Sequence, residues 1–266
     1  MTVSIPKPVA DVYPSERVSR LRERIIHAPR EACVERARYL TRSMSAGWNE
    51  HPLTRMSQAL AEILDNISVI IREDELVVGC RTSRLKGAPF FPENKSRWIE
   101  GDVDRFEERV IQKLRIGDAE ARELKEEILP FWRGRTAEER FEELLPADVA
   151  ESMDKFVVTM MLEITYGIGH FTMNHRRILE RGLSGIIAEA RGKLEALAED
   201  ERASDAGLFY AAVIRSLSAA IRFAQRHAAE AERMAASESD PRRAAELEEI
   251  ARVCRRVPEH PAQSFR

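Results

Sequence analysis

The stretch YGIGHFTMNHRRILERGL, residues 166–183, gathers Gly167, Gly169, His170 and His175 into one short span. Glycines ahead of a helix can cradle a phosphate, paired histidines can hold a metal, and a single histidine can pass a proton to a substrate. The phosphate reading fails on spacing. A dinucleotide loop needs a third glycine where Thr172 stands, and a Gly-Lys-Ser/Thr ending is missing too. The metal reading fails as well. His170 and His175 are five residues apart with no acidic residue between them, and His27, His51, His227 and His260 form no local ligand set. What the glycines permit is a tight backbone path with no side chain in the way. His170 is then either an ordinary packed or surface histidine or a proton donor facing a ligand.

Nucleophilic chemistry has no local signature. There is no Gly-x-Ser-x-Gly elbow, and Ser184 sits inside a helical pattern. Cys33-Val34-Glu35 offers a thiol and a carboxylate, a pair suited to hydrogen abstraction and proton transfer. At positions i and i+2 of a helix the two would not share a face, so Cys33 reads as a small buried residue.

The elements that must position these residues are mostly helices. Ser15 can cap a helix reaching His27, and Pro29 can open the next, through REACVERARYLTRSM. LTRMSQALAEILDNISVII repeats apolar residues at helical spacing, at Leu60, Ile63, Leu64 and Ile67. ELVVGC reads as a strand ending at Gly79, and residues 81–101 read as an irregular segment rich in proline, glycine and aromatics. Helices are expected again over 103–115, 118–132 and 136–145, with Pro130 marking a kink or an end and Thr136 with Glu139 forming a capping box. ESMDKFVVTMMLEITY reads as core. GLSGIIAEARGKLEAL and SDAGLFYAAVIRSLSAAIRFAQRHAAEAERM read as long amphipathic helices, and Asp240-Pro241 starts the last one. The expected class is mainly α with a few short strands.

Composition narrows the partners. Hydrophobic residues make up 44% and charged residues 33%, enough apolar material for a sizeable core. With 42 basic against 45 acidic residues the formal net charge is -3, which supplies no concentrated positive field for nucleic acid. No uninterrupted apolar run reads as a membrane span or secretion signal, and three scattered cysteines suit a reducing compartment. The chain is expected to be cytoplasmic, with neither nucleic acid nor membrane as partner.

Five motifs then converge: VIIREDELVVG (69–79), FFPE (90–93), FWRGRT (131–136), YGIGHFTMNHRRILERGLSGIIAEA (166–190) and ARVCRRVPEHPAQSF (251–265). Together, in this order, they resemble the N-terminal third of the glycyl radical enzymes, nearer the dehydratase, decarboxylase and carbon–heteroatom lyase members than pyruvate formate-lyase. The resemblance implies that residues 1–266 are an incomplete pyruvate formate-lyase-like domain, with residues 1–13 an extended arm. It implies the largely helical N-terminal part of a ten-stranded α/β-barrel enzyme, which is usually homodimeric.

In that family a glycyl radical, installed by a separate S-adenosylmethionine/iron–sulfur activase, passes to a cysteine that takes hydrogen from the substrate. A glutamate two residues beyond that cysteine acts as the base. No bound metal or organic cofactor is implied. Carried onto this sequence, the resemblance makes His170 substrate-facing, with His175, Arg84, Phe90 and Phe91 as further candidates to line or cover the cavity. Where family members often have Pro-Asp-Tyr or Val-Asp-Tyr, this chain has Met173-Asn174-His175, an amide in place of a carboxylate. The Gly-Cys-x-Glu loop and the radical-glycine segment do not occur in these residues, and Cys33 has the wrong context. No catalytic residue is therefore expected here. The expected role is an N-terminal fragment, inactive alone and dependent on a C-terminal part that could be a separate chain. The alternative is a non-catalytic helical structural or interaction protein.

Overall fold

The computed structural model describes residues 15–155, 157 and 172–264. The arm 1–13 and the stretch holding Gly167, Gly169 and His170 lie outside the described residues. In chain order the elements are α1 (Glu16–His27), β1 (Glu31–Cys33), α2 (Glu35–Ala46), α3 (Pro52–Asn66), β2 (Gly87–Pro89) and α4 (Arg97–Asp102). They continue with α5 (Asp118–Glu123), α6 (Leu129–Trp132), α7 (Ala137–Glu142), α8 (Ala147–Asp154), α9 (His175–Glu195), α10 (Asp205–Ser237) and α11 (Pro241–Arg256). The molecule is mainly helical. Its two short strands pair in parallel, Glu31 against Gly87 and Cys33 against Pro89.

The first core is built on large side chains. Val34, Leu40, Ile99, Val103, Leu124, Ile128, Leu129 and Trp132 are buried together. Phe90 stacks on Phe106 with ring centroids 5.7 Å apart, and the Trp132 indole donates to Thr41 Oγ1 at 2.8 Å. A second layer is made by α10, which packs along α3, α9 and α11. Its buried positions are mostly alanine: Ala212, Ala219, Ala228 and Ala231. Small residues let the helices approach closely but leave little side-chain volume to fill the gaps between them. By length and composition Asp205–Ser237 could cross a membrane, a run the sequence reading did not expect. Its arginines instead reach neighbouring elements: Arg215 bonds Ser57, Arg222 pairs with Asp65, and Arg226 bonds the carbonyls of Leu64 and Ile67.

Helix α1 buries none of its residues and is held by charge. Arg20 donates to the Asp74 carboxylate at 2.9 and 2.6 Å, while Arg17 and Arg24 bond the carbonyls of Asp74 and Glu73. The Arg20 bond, opposed by burial and helped by the charges of Arg24 and Arg17, lowers the Asp74 pKa to about 2.

Several expectations are corrected. No helix opens at Pro29: residues 31–33 are drawn into a strand because Glu31 N donates to Lys86 O and Ala32 N to Arg115 O. ELVVGC forms no strand, because no backbone hydrogen bond reaches residues 76–80 among the described residues. The helix expected over 103–115 stops early. Leu114 N turns back to Phe106 O, and Arg115 bridges β1 instead. Pro130, read as a kink or an end, lies in a helix that runs on to Trp132, as expected. A π turn, Leu124–Ile128, precedes it and widens the backbone where proline can neither donate nor fit a regular turn. The Thr136–Glu139 capping box and the Asp240 cap form as read.

Candidate functional site

Four of the five motifs meet, directly or through the next residue along, at two joints. At the first, FFPE meets FWRGRT: Ala137 N donates to Glu93 O at 2.8 Å and Glu138 N to Asn94 O at 3.0 Å. Arg36 clamps the Glu93 carboxylate and lies 4.0 Å above the Phe91 ring. At the second joint, GLSG meets VPEHP. Gly182 breaks α9 with φ 65°, and the freed amides of Leu183 and Ser184 donate to Pro258 O and Glu259 O at 2.9 and 3.0 Å. A side chain at Gly182 would sit 2.3 Å from Glu259 O, so only glycine allows this approach.

The candidate side chains are placed apart. Phe90 is 1% exposed, its ring packed among Trp98 and Phe106. Phe91 is partly exposed beneath Arg36. His175 opens α9 on the surface, just after Asn174, whose Oδ1 accepts from Arg177 N at 3.0 Å. Arg84 lines a cavity of about 400 Å³ beside the β1–β2 pair, together with Arg30, Cys80, Arg81 and Lys86. It pairs with Glu120 at 3.2 Å, and that bond and charge raise its pKa. Neither phenylalanine nor His175 lines this cavity. His170 lies outside the described residues.

Two sequence decoys resolve. Cys33 is buried with Sγ 3.6 Å from Ser83 Oγ, while the Glu35 carboxylate accepts from Ser68 N and Oγ at 2.8 and 2.7 Å. Thiol and carboxylate thus serve different neighbours. Ser184 Oγ donates to Glu259 O at 2.7 Å, an anchoring role. Among the described residues no group of three or more His, Cys, Asp or Glu could hold a metal.

A second, larger cavity of about 1030 Å³ lies between residues 76–79, α10 and α11, walled by Leu76, Val77, Phe223, His227, Ile250 and Val253. His227 is buried; its Nδ1 lies 2.9 Å from Phe223 O, which fixes the proton on Nδ1, and its Nε2 has no partner among the described residues. Burial, more than any other influence, lowers its pKa. Motif reasoning missed this groove. Its traces in sequence are the LVVG run and the Phe223/His227 pair one helical turn apart.

Residues 12–266 match the model of the pyruvate formate lyase-like family. The chain belongs to this family. Within it, the chain is the N-terminal portion and is related to the dehydratase and lyase members. It is 31% identical over 260 residues to the isethionate sulfite-lyase of Nitratidesulfovibrio vulgaris, covering 94% of this chain and 31% of that one. It is 29% identical to the (2S)-3-sulfopropanediol dehydratase of Klebsiella oxytoca, covering 96% and 32%. The glycerol-bound B12-independent glycerol dehydratase from Clostridium butyricum superposes with a TM-score of 0.86 at 31% identity, over 94% of this chain and 32% of that one. The chain thus spans about a third of the length of these family relatives.

Proposed function

We propose that the chain supplies the N-terminal wall of a glycyl radical lyase that dehydrates, decarboxylates or cleaves a carbon–heteroatom bond in a small hydroxylated or carboxylated substrate. The carrying observation is similarity over 94% of the chain to a lyase of this family. In this reading residues 1–266 are one incomplete pyruvate formate-lyase-like domain with an N-terminal arm, working in the cytoplasm, and the completed enzyme is a homodimer.

The glycyl radical, set by a separate S-adenosylmethionine/iron–sulfur activase, supplies the hydrogen-abstracting power through a cysteine that these residues do not contain. What this chain contributes is binding and position. His170 hydrogen-bonds a substrate hydroxyl or protonates a departing group, since an imidazole exchanges its proton near neutral pH. Arg84 orients an anionic end of the substrate. His175, Phe90 and Phe91 support the wall; Phe90 does so from within the core. The residues completing the barrel come from a further C-terminal part, in the same or a separate chain. A second reading, a non-catalytic interaction protein, draws on the large apolar groove beside α11.

An anaerobic assay with the activase and S-adenosylmethionine tests the proposal. The 266-residue chain alone should give no glycyl-radical resonance and no turnover. Completed with a segment carrying the Cys-x-Glu loop and radical glycine, it should give both. His170→Ala in the completed enzyme should then lower kcat about 10²–10⁴-fold. Turnover by the chain alone, or a radical without turnover on any small hydroxylated or carboxylated substrate, would contradict it.

A further inference from the structure

We propose that the cavity beside the β1–β2 pair is a binding site for a small oxyanion: a carboxylate, sulfonate or phosphate group on a molecule of a few heavy atoms. The cavity encloses about 400 Å³ and counts Arg30, Arg81, Arg84 and Lys86 among its lining residues, with no carboxylate among them. That volume lies at the lower end of small-molecule sites. Arg115 stands beside them, bridged to Glu31 at the strand edge.

Backbone bonds fix these cations. Glu31 N donates to Lys86 O at 3.2 Å, and Arg115 N donates to Arg30 O at 2.8 Å. The β1 edge thereby holds three basic residues in register. Arg84 is set by the turn before β2, where Thr82 Oγ1 donates to Arg84 O at 2.8 Å. A Cβ on Gly87 would lie 2.2 Å from that same Thr82 oxygen, so glycine lets the turn close against the strand.

The charges here are not spent on one another. Elsewhere in the molecule arginines find carboxylates: Arg20 pairs with Asp74, Arg36 with Glu93 and Arg133 with Glu100. Arg30 and Arg81 have no side-chain hydrogen bond or ion pair among the described residues. Arg84 spends one nitrogen on Glu120, while its Nε is buried without an acceptor. Unpaired guanidinium forks at a concave site match the planar or tetrahedral faces of an oxyanion, which can accept two parallel bonds. With an overall charge of -3, the protein has no diffuse positive field, so the attraction is confined to this cavity.

Identifying the oxyanion with the substrate of the lyase rests on the reading above, because Arg84 is one of its candidate substrate contacts. Oxyanion binding itself does not depend on that reading. Sodium sulfate, sodium phosphate, 2-hydroxyethanesulfonate and uncharged glycerol would be titrated calorimetrically into the 266-residue chain, with ionic strength held constant by chloride. Saturable binding of the anions is expected, with none for glycerol. Arg30→Gln and Arg81→Gln, both at exposed positions, should each weaken it at least about tenfold, while Arg202→Gln, at an exposed position that does not line the cavity, should leave it unchanged. No saturation, or equal affinity in wild type and both lining variants, overturns the site. A preference for the hydroxysulfonate supports its identity as substrate; equal affinity for all three anions overturns that identity and leaves the oxyanion site standing.

Discussion

The aromatic lobe around Trp132 and the alanine-lined layer around α10 are built from opposite materials. The first closes on itself, with Trp132, Phe90, Phe106 and Leu124 all essentially inaccessible. The second buries alanines in α10, and its two small clusters centre on Leu247 and Ile187. Beside it lies the groove of about 1030 Å³, and Val77 on its wall is 89% exposed. A core made of large rings needs no further partner. A helix layer packed on small residues gains cohesion by close backbone approach but leaves apolar surface for something else to cover.

The largest effect should come from breaking the finished side. Trp132→Ala removes a buried indole and its bond to Thr41, and should cost about 3–5 kcal/mol by denaturant unfolding. A loss near zero would mean that the aromatic lobe is not the stable unit. Next comes the joint in the helical layer. Gly182→Ala forces a positive φ and a collision with Glu259 and His260, for roughly 1–3 kcal/mol; an unchanged melting temperature would show that the tail 258–260 does not pack there.

Acid should act on the helical layer and on the α1 clasp beside it, in different windows. Asp74 has a folded pKa below its unfolded value, so its contribution is complete above about pH 4 and is lost as the pH falls towards about 2. His227, buried and kept neutral, favours the folded state above about pH 6.5; that stability declines as the pH falls below this value. His227→Leu should therefore flatten the stability profile between about pH 7 and pH 5, and Asp74→Asn should flatten the more acidic part. Retention of both slopes in the variants would refute the assignments. The smallest effect belongs to the open wall. Val77→Lys should change stability by no more than about 0.5 kcal/mol, yet should reduce binding of a hydrophobic dye; undiminished dye binding would place the exposed apolar surface elsewhere.

Much of this was legible in the sequence. Caps at Ser15, Thr136 and Asp240 are local chemistry, and they formed where the side chains indicated. The ordered motifs pointed to the family, and the family model matches. The strands were not legible, because pairing is decided by distant segments. ELVVGC has strand composition but no strand partner among the described residues, while the less suggestive EAC and GAP pair with each other. The joints were equally hidden: Gly182 looks like a helix interior until the tail carrying Pro258 lies against it. Of the candidate site, Arg84 proved to line a cavity and Phe90 to lie in the core. That distinction depends on which way the 81–93 segment turns, and residue types do not encode it.

Hydrogen exchange on the 266-residue chain tests the contrast most directly. Amides of residues 124–132 should be protected close to the global unfolding limit. Those of residues 76–80, which have no backbone partner among the described residues, should exchange nearly as fast as in an unstructured peptide. Equal, strong protection of both segments would contradict the account, since it would show that the groove wall is already paired and the helical layer as closed as the aromatic lobe.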